Sequence, residues 1–370
     1  MAVTSKGTAA GLVDWRTVER LTALIPAGPS ASRSARASSV AVLRRSALEA
    51  PAWVARITGL NRAAQQVAET TRVSVVDRAG LVRVSTRALR GLMEQVPAPQ
   101  ASEAVRLVGA AEMAGAMSLL ATRLLGQVVP AAGTGADGDV GREGEASPHL
   151  LLVAPNVLAM RRQLDLDMLD LPAWVCLHET THAVQLMAAP WLGSYLADSM
   201  RTVIGAVVEA VYGGAGSGEH GPGPRRGSVV RIAARAGRGR VLEGLTNLRE
   251  RSEVSSLAAA LTFLEGHAEV VLDDVRPNRM PSVHRLRAVL SRSRAVDGGI
   301  GPGPGLGALL LHRLMGLEAK EAQYADGAAF VRSVVARIGH EGLNIVWTDP
   351  ALLPTPAEIA RPDVWVRRVS

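Results

Sequence analysis

The sequence predicts a mainly helical protein with a small β-sheet, an α+β class, and two observations support this. Apolar residues recur at spacings of three and four in segments such as Val40–Ile57, Thr86–Val96 and Ser102–Leu125, which is typical of helices with one buried face. The single convincing strand, His149–Ala154, is a short apolar run closed by Pro155. With 370 residues, 48% of them hydrophobic, the chain can bury one large core or two moderate ones.

Segments rich in Ser, Gly, Ala or Pro separate these elements and predict linkers or loops. They are Pro29–Ser39, Val129–Ser147, Gly213–Gly239 and Gly298–Gly307. We expect Gly213–Gly239 to be a mobile insertion because its composition buries little apolar surface, although the apolar spacing in Val229–Ala236 also allows a packed helix. The sequence GPGPGLG near Gly301 lacks the strand-to-helix setting of a nucleotide-binding loop and indicates a linker.

The formal charge of +7 does not indicate a nucleic-acid partner. Proteins that bind single strands combine basic grooves with aromatic side chains on which bases stack. The densest basic run, Pro224–Arg240, is rich in glycine and contains no aromatic residue. We therefore interpret it as a solvated loop in preference to a polyanion contact.

The cysteine content and the apolar stretches bear on location. Cys176 is the single cysteine, so no intramolecular disulfide can form, and the first residues lack the pattern of a secretory signal. Charged residues interrupt Val105–Val129 and Tyr195–Val211 before either reaches the roughly 18 uncharged residues that a membrane span needs. We expect a cytoplasmic protein without a membrane segment.

The most specific motif is H-E-T-T-H at residues 178–182, inside WVCLHETTHAVQL. With 8 His and 20 Glu in the chain, chance predicts about 0.01 matches to H-E-x-x-H. Apolar residues fall all round this helix, which predicts that it is buried on every side. His178 and His182 lie one turn apart and can both reach one tetrahedral zinc ion, with Glu179 beside them to take a proton from bound water.

Burial favours the metal site over its structural alternative. Desolvating a carboxylate or an imidazolium costs several kcal/mol unless the group is paired or ligated. Two core histidines bonded to backbone carbonyls would satisfy His178 and His182 but would leave Glu179 without a partner.

A third zinc ligand is predicted on the segment Leu261–Val275, a helix whose start we place at Ser252 or Ser255 as the N-cap. Glu265 borders the apolar arc of this helix, although an edge position on a solvated face is the alternative. Gly266 beside it permits another backbone to approach closely, as a metal-bearing pair of helices requires. The arc consists of Leu264, Ala268, Val271, Leu272 and Val275.

Other candidates near the motif are less specific. Glu269 lies farther round the helix than Glu265 and is better placed to orient a ligand imidazole or to close a carboxylate network. Cys176 points about 200° away from His178 and is predicted to be a buried small hydrophobe. Geometry must choose a transition-state stabiliser, which the sequence leaves unknown. The candidates are Tyr195, His267, His284 and Tyr324.

Several segments together resemble the bacterial zincin-like metallopeptidase family of unknown function, whose members are often labelled as associated with biosynthesis of a deazaflavin coenzyme. The resemblance covers most of the chain except the glycine-rich loops. It rests on the strand and PNVLAM at 155–160, WVCLHETTHAVQ at 174–185 with PWL at 190–192, and EGHAE at 265–269. It also rests on VVDRAGLVR at 75–83, YADGAAFV at 324–331 and NIVWTDPALLPTPAEI at 344–359.

The resemblance implies a zinc-dependent hydrolase of the gluzincin type, acting on a peptide or protein substrate. Its ligands would be His178, His182 and Glu265, with Glu179 as the general base. The implied layout is an N-terminal helical region over residues 1–125, a glycine-rich loop over 126–148 and a zincin-like core over 149–370. A catalytically silent, zinc-stabilised binding protein of the same fold is the alternative, and the retained Glu179 favours the enzyme. Oligomeric state stays open.

Overall fold

The computed structural model describes residues 7–130, 147–212, 248–289 and 322–370. It is mostly helical with two small sheets, which confirms the predicted α+β class. The helices are α1 Trp15–Thr22, α2 Arg33–Thr58, α3 Asn61–Thr70, α4 Arg78–Glu94, α5 Glu103–Arg123, α6 Ala154–Gln163, α7 Asp170–Ala188, α8 Leu192–Tyr212, α9 Leu248–Asp273, α10 Ala322–Leu343, α11 Pro356–Ile359 and α12 Pro362–Val369. The strands are β1 Gly7–Thr8, β2 Arg72–Val76, β3 Pro97–Ala98, β4 Gly126–Val129 and β5 His149–Val153.

The larger sheet has the strand order β2-β5-β4. The predicted strand is confirmed as β5, which runs parallel to β2, with Arg72 opposite His149, and antiparallel to β4, with Gly126 opposite Leu152. Assigning residues 126–129 to a loop was wrong, because these residues form β4. β2 comes from the predicted N-terminal region, so that region and the core share one sheet; the boundary at residue 125 stays a prediction.

The central strand β5 is buried on both faces. Leu150 and Leu152 pack into a core with α2 and α7, whereas Leu151 and Val153 pack into a second core with α4 and α5. All four residues are at most 2% exposed. A strand covered on both sides is a continuous apolar run, which explains why the sequence LLLV gave the clearest strand signal.

Two predicted boundaries at helix starts were wrong. The segment Pro29–Ser39 is not a linker throughout, because α2 begins at Arg33, capped by the Ser32 hydroxyl, which accepts a hydrogen bond from the Ala35 amide at 3.1 Å. Its Ala and Arg content suits a helix, and Ser is a preferred N-cap. Ser252 and Ser255 are not N-caps, because α9 already begins at Leu248.

The other predicted loops fall mainly outside the described residues. This holds for Gly213–Gly239, Gly298–Gly307 and most of Val129–Ser147.

Within the described ranges, α5 is long and apolar enough to span a membrane by length and composition alone. Several of its apolar side chains are nevertheless buried in the core that contains α4. These are Ala110, Ala114, Met117, Leu120 and Ala121. The expected absence of a membrane segment stays a prediction.

The helix α9 crosses α10 at very close range. A Cβ on Gly266 would collide with the backbone of Gly327, and a Cβ on Gly327 would collide with the carbonyl of Thr262. The predicted close approach at Gly266 is therefore confirmed, but the partner is α10 and not the motif helix. This crossing fixes the position of α9, which carries Glu265 on a different part of its surface.

Candidate metal centre

The motif helix α7 is buried along almost its whole length, as its apolar distribution predicts. It packs against α2 and α3, against β4 and against α9. Leu177, His178 and Glu179 are each at most 3% exposed. Cys176 is fully buried and donates to the Leu43 carbonyl at 3.5 Å; burial raises the pKa of its thiol, which fits the predicted role of a small core residue.

The predicted ligands from α7 and α9 meet in one cluster. His178 Nε2 and His182 Nε2 are 3.2 Å apart. Glu265 presents one carboxylate oxygen to each ring, at 3.4 Å from His178 Nε2 and 3.5 Å from His182 Nε2. The side chain of Glu265 is 12% exposed and that of His182 is 16% exposed, so the cluster is nearly closed to solvent.

The electrostatics of the cluster favour a positive charge between these three groups. Burial alone would raise the pKa of Glu265, but the positive charge of His182 and hydrogen bonds from both rings lower it instead. Burial alone would lower the pKa of His182, but the charge of Glu265 outweighs it and raises the pKa to about 9. Burial dominates for His178 and lowers its pKa, although Glu265 opposes the shift. An ionised carboxylate thus faces two ring nitrogens, and the positive charge is favoured on His182 over His178.

A zinc ion suits this donor set. Ligands at about 2.0–2.1 Å in a tetrahedron lie roughly 3.3–3.4 Å from one another. The two ring nitrogens are 3.2 Å apart, each has a different Glu265 oxygen within 3.5 Å, and one ligand atom from each of the three residues lies within 4.8 Å of the others. Two imidazoles and one carboxylate are also the ligand types of many catalytic zinc sites, which keep a fourth position open. In donor type and in proximity, the residues therefore fit the metal that the sequence predicts.

Glu179 lies beside the cluster and against strand β4. Its side chain is buried and packs so tightly on Gly126 that an added Cβ would lie 2.5 Å from Glu179 Cγ. Among the residues that the structure describes, none forms a hydrogen bond with its Oε1. Burial raises the pKa of Glu179 to about 8, although the charge of His182 opposes the shift. Packing thus holds the carboxyl group in place, and its Oε1 is left available to exchange a proton, as a general base requires.

Sequence analysis missed two residues of this centre. Gly126 supplies the space that Glu179 occupies, and Gln185 accepts a hydrogen bond from His182 Nδ1 at 2.9 Å. Gln185 was visible in the sequence as a polar side chain three residues after His182, on a helix predicted to be buried on every side. Gly126 gave no sequence signal, because its role depends on a contact with a residue 53 positions away, 179 minus 126.

Glu269 influences the cluster through its charge. That charge helps to raise the pKa of His178 against the effect of burial. However, His178 Nδ1 has no hydrogen-bond partner among the described residues, so Glu269 does not orient this ring by a bond at Nδ1. The hydrogen bond that orients an imidazole goes instead from His182 to Gln185.

The candidate transition-state stabilisers lie in different surroundings, and His267 is connected to the cluster through Gln185. Tyr195 is half-buried and stacks edge-on against Trp191, and His284 is exposed. His267 is fully buried, and burial lowers its pKa to about 3. The side chain of Tyr324 lies outside the described residues. The stabiliser therefore stays unassigned.

Comparison with known proteins supports the relationship that the motifs predict. A family model described as zincin-like metallopeptidase matches residues 13–366. A solved structure from Chloroflexus aurantiacus, described as "a putative hydrolase with a novel fold", shares 21% sequence identity and a TM-score of 0.59, and the alignment covers 96% of this chain and 98% of that one. At this identity the likeness shows the fold. No curated protein matches the chain.

Proposed function

Because this chain belongs to the family of zincin-like metallopeptidases, we propose that it is a zinc-dependent hydrolase that cleaves a peptide or amide bond. The observation that supports the proposal most directly is the cluster of His178, His182 and Glu265 with Glu179 at its side. A protein that used the metal only for stability would need the three ligands but would have no use for a fourth buried ionisable group next to them.

Each residue of the centre has a defined task in this proposal. His178, His182 and Glu265 would hold the ion, which would polarise the scissile carbonyl and lower the pKa of a water molecule. Glu179 accepts the proton of the attacking water and passes it to the leaving nitrogen. Burial supports the first transfer, because it raises the pKa of Glu179 and a more basic carboxylate takes up a proton more readily.

The test is the substitution Glu179→Gln. The change is nearly isosteric and leaves the three ligands in place, so zinc content should match the wild type. Hydrolysis should fall by about 10²–10⁴-fold, the usual contribution of a general base. Both proteins are incubated, zinc-loaded, with a peptide library derived from a proteome digest, and new termini are counted by mass spectrometry. Glu19→Gln, the same chemical change at an exposed site on α1, is the matched control.

Equal cleavage by wild type and Glu179→Gln would reject Glu179 as the base. Absence of cleavage by both proteins, with zinc retained in both, would favour the zinc-stabilised binding protein for the substrates tested. Absence of zinc from wild-type protein purified without chelator, with no uptake when zinc is added, would reject the metal centre itself.

A further inference from the structure

The side-chain amide of Gln185 joins the two helices that carry the cluster. Gln185 lies on α7, is 1% exposed and forms three hydrogen bonds. Its Oε1 lies 2.9 Å from His182 Nδ1, and its Nε2 lies 2.9 Å from the Leu264 carbonyl oxygen and 3.0 Å from His267 Nδ1. The last two partners belong to α9, on either side of Glu265 in sequence.

The Leu264 carbonyl determines which way the amide faces. A backbone carbonyl can only accept a hydrogen bond, so the Gln185 NH₂ group must point towards Leu264. Its oxygen then points towards His182 Nδ1. An amide oxygen is also only an acceptor, so His182 Nδ1 must carry a proton.

In the neutral imidazole that binds a metal, a proton on Nδ1 leaves Nε2 as the unprotonated nitrogen. This is the nitrogen of His182 that faces His178 Nε2 and the Glu265 carboxylate. The Leu264 carbonyl on α9 orients the Gln185 amide, and the amide in turn determines which ring nitrogen of His182 is left unprotonated.

We propose that Gln185 is a positioning residue that holds His182 in its Nδ1-protonated tautomer and ring orientation, with Nε2 directed at the metal. The inference rests on the metal centre of the proposed function but does not depend on hydrolysis. Partners that hold a ligand imidazole in this way typically change metal affinity by 10–100-fold when they are removed.

Three variants separate positioning of His182 from simple loss of a buried amide. Gln185→Met keeps the approximate volume and removes every hydrogen bond of the amide. Gln185→Glu keeps an oxygen acceptor for His182 Nδ1 but loses the donors to Leu264 and His267. Gln127→Met is the matched control, because Gln127 is also buried, at 4% exposed, and bonds to Ser85 on α4 and not to a cluster residue.

The first measurement is the affinity for Zn²⁺ itself, determined by competition with a chelator. We expect a loss of about 10–100-fold for Gln185→Met, a much smaller loss for Gln185→Glu, and no comparable loss for Gln127→Met. The second is the Nδ1–H resonance of His182 in zinc-loaded, ¹⁵N-histidine-labelled protein. This resonance should be protected from exchange in the wild type and in Gln185→Glu, and should be lost or shifted in Gln185→Met.

Wild-type zinc affinity and an unchanged His182 resonance in Gln185→Met would overturn the proposal. Equal losses in Gln185→Met and Gln185→Glu would also overturn it, because they would show that the bonds to α9 matter and the bond to His182 does not. If Gln185→Met fails to fold, the comparison of Gln185→Glu with the wild type still decides: a lost resonance rejects the proposal. The hydrolysis experiment with Glu179→Gln is a separate test. If it shows no hydrolysis, the zinc affinities and the His182 resonance still decide the role of Gln185.

Discussion

The packing of Glu179 on Gly126 predicts a measurable coupling between these two residues. In Gly126→Ala the new methyl group would lie 2.5 Å from Glu179 Cγ, 2.8 Å from Cδ and 3.0 Å from Oε1. Ordinary contacts of a Cβ atom begin at 3.4 Å. The carboxylate side chain or strand β4 must therefore shift by about 0.9 Å, the difference between 3.4 and 2.5 Å.

This overlap determines the size of the expected effects. Forcing one extra methyl group into a packed core typically costs about 1–3 kcal/mol of the free energy of unfolding. In a Glu179→Ala background the three atoms that collide are absent, so Gly126→Ala should cost almost nothing there. The coupling energy of the double-mutant cycle should thus equal nearly the whole cost of about 1–3 kcal/mol.

The assay is urea denaturation of the four proteins of the cycle in the presence of chelator, followed by tryptophan fluorescence. Gly115→Ala is the control, because Gly115 lies on α5 and, apart from its own helix, the described part of the chain has no atom within 4 Å of an added Cβ; it should be neutral or stabilise by up to about 1 kcal/mol. In zinc-loaded protein, Gly126→Ala should also lower hydrolysis by about 10²-fold, since a displacement near 1 Å can have that effect. An equal cost of Gly126→Ala in both backgrounds would refute the contact.

Three further predictions concern the metal and the C-terminal packing. Zinc at 100 times its Kd should stabilise the protein by about 2.7 kcal/mol, so calorimetry should record a lower Tm after chelation; an unchanged Tm would contradict a bound metal. Glu265→Ala should lose more zinc affinity by isothermal titration than Glu269→Ala, and the reverse order would move the ligand to Glu269. Burial alone would raise the pKa of Glu358, but hydrogen bonds from Arg368 and Thr355 lower it below its usual 4.5. The ionised Glu358 therefore stabilises the fold above about pH 4.5, and this stabilisation is lost as the pH falls through the lowered pKa. Glu358→Gln should lower the free energy of unfolding by about 1.5–3 kcal/mol at pH 7, and in urea titrations this difference should shrink in acid; a constant difference would show that the charge is unimportant.

The parts of the centre that were predictable depend on spacing within one helix. His178 and His182 lie on one face of α7 because residues four apart are neighbours on any α-helix. Glu265 could be selected because it stands at the edge of an apolar stripe. The burial of α7 followed from apolar residues on all its sides. These inferences needed no knowledge of which elements touch.

The features that escaped prediction arise from contacts between elements distant in sequence. Gly126 matters because β4 lies beside α7, and nothing within the segment GQVV indicates that neighbour. β2 was missed because it has only five residues and none of them is buried, and its pairing with β5 is what stabilises it. The partner of Gly266 was misassigned because a glycine indicates close approach but not the identity of the approaching backbone.

Because His182 lies on α7 and Glu265 lies on α9, a metal ion held by both would close the chain between them into a ring. His182 and Glu265 are 83 positions apart, 265 minus 182, and the 27 residues of 213–239 belong to that interval. In the unfolded chain, where this segment is flexible, the entropy of closing the ring grows only with the logarithm of its length, so shortening it from 83 to 56 residues changes the closure free energy by about 0.35 kcal/mol. This is less than a factor of two in an equilibrium constant. For the unfolded chain, the length of this connection therefore has little influence on how often the two ligands meet.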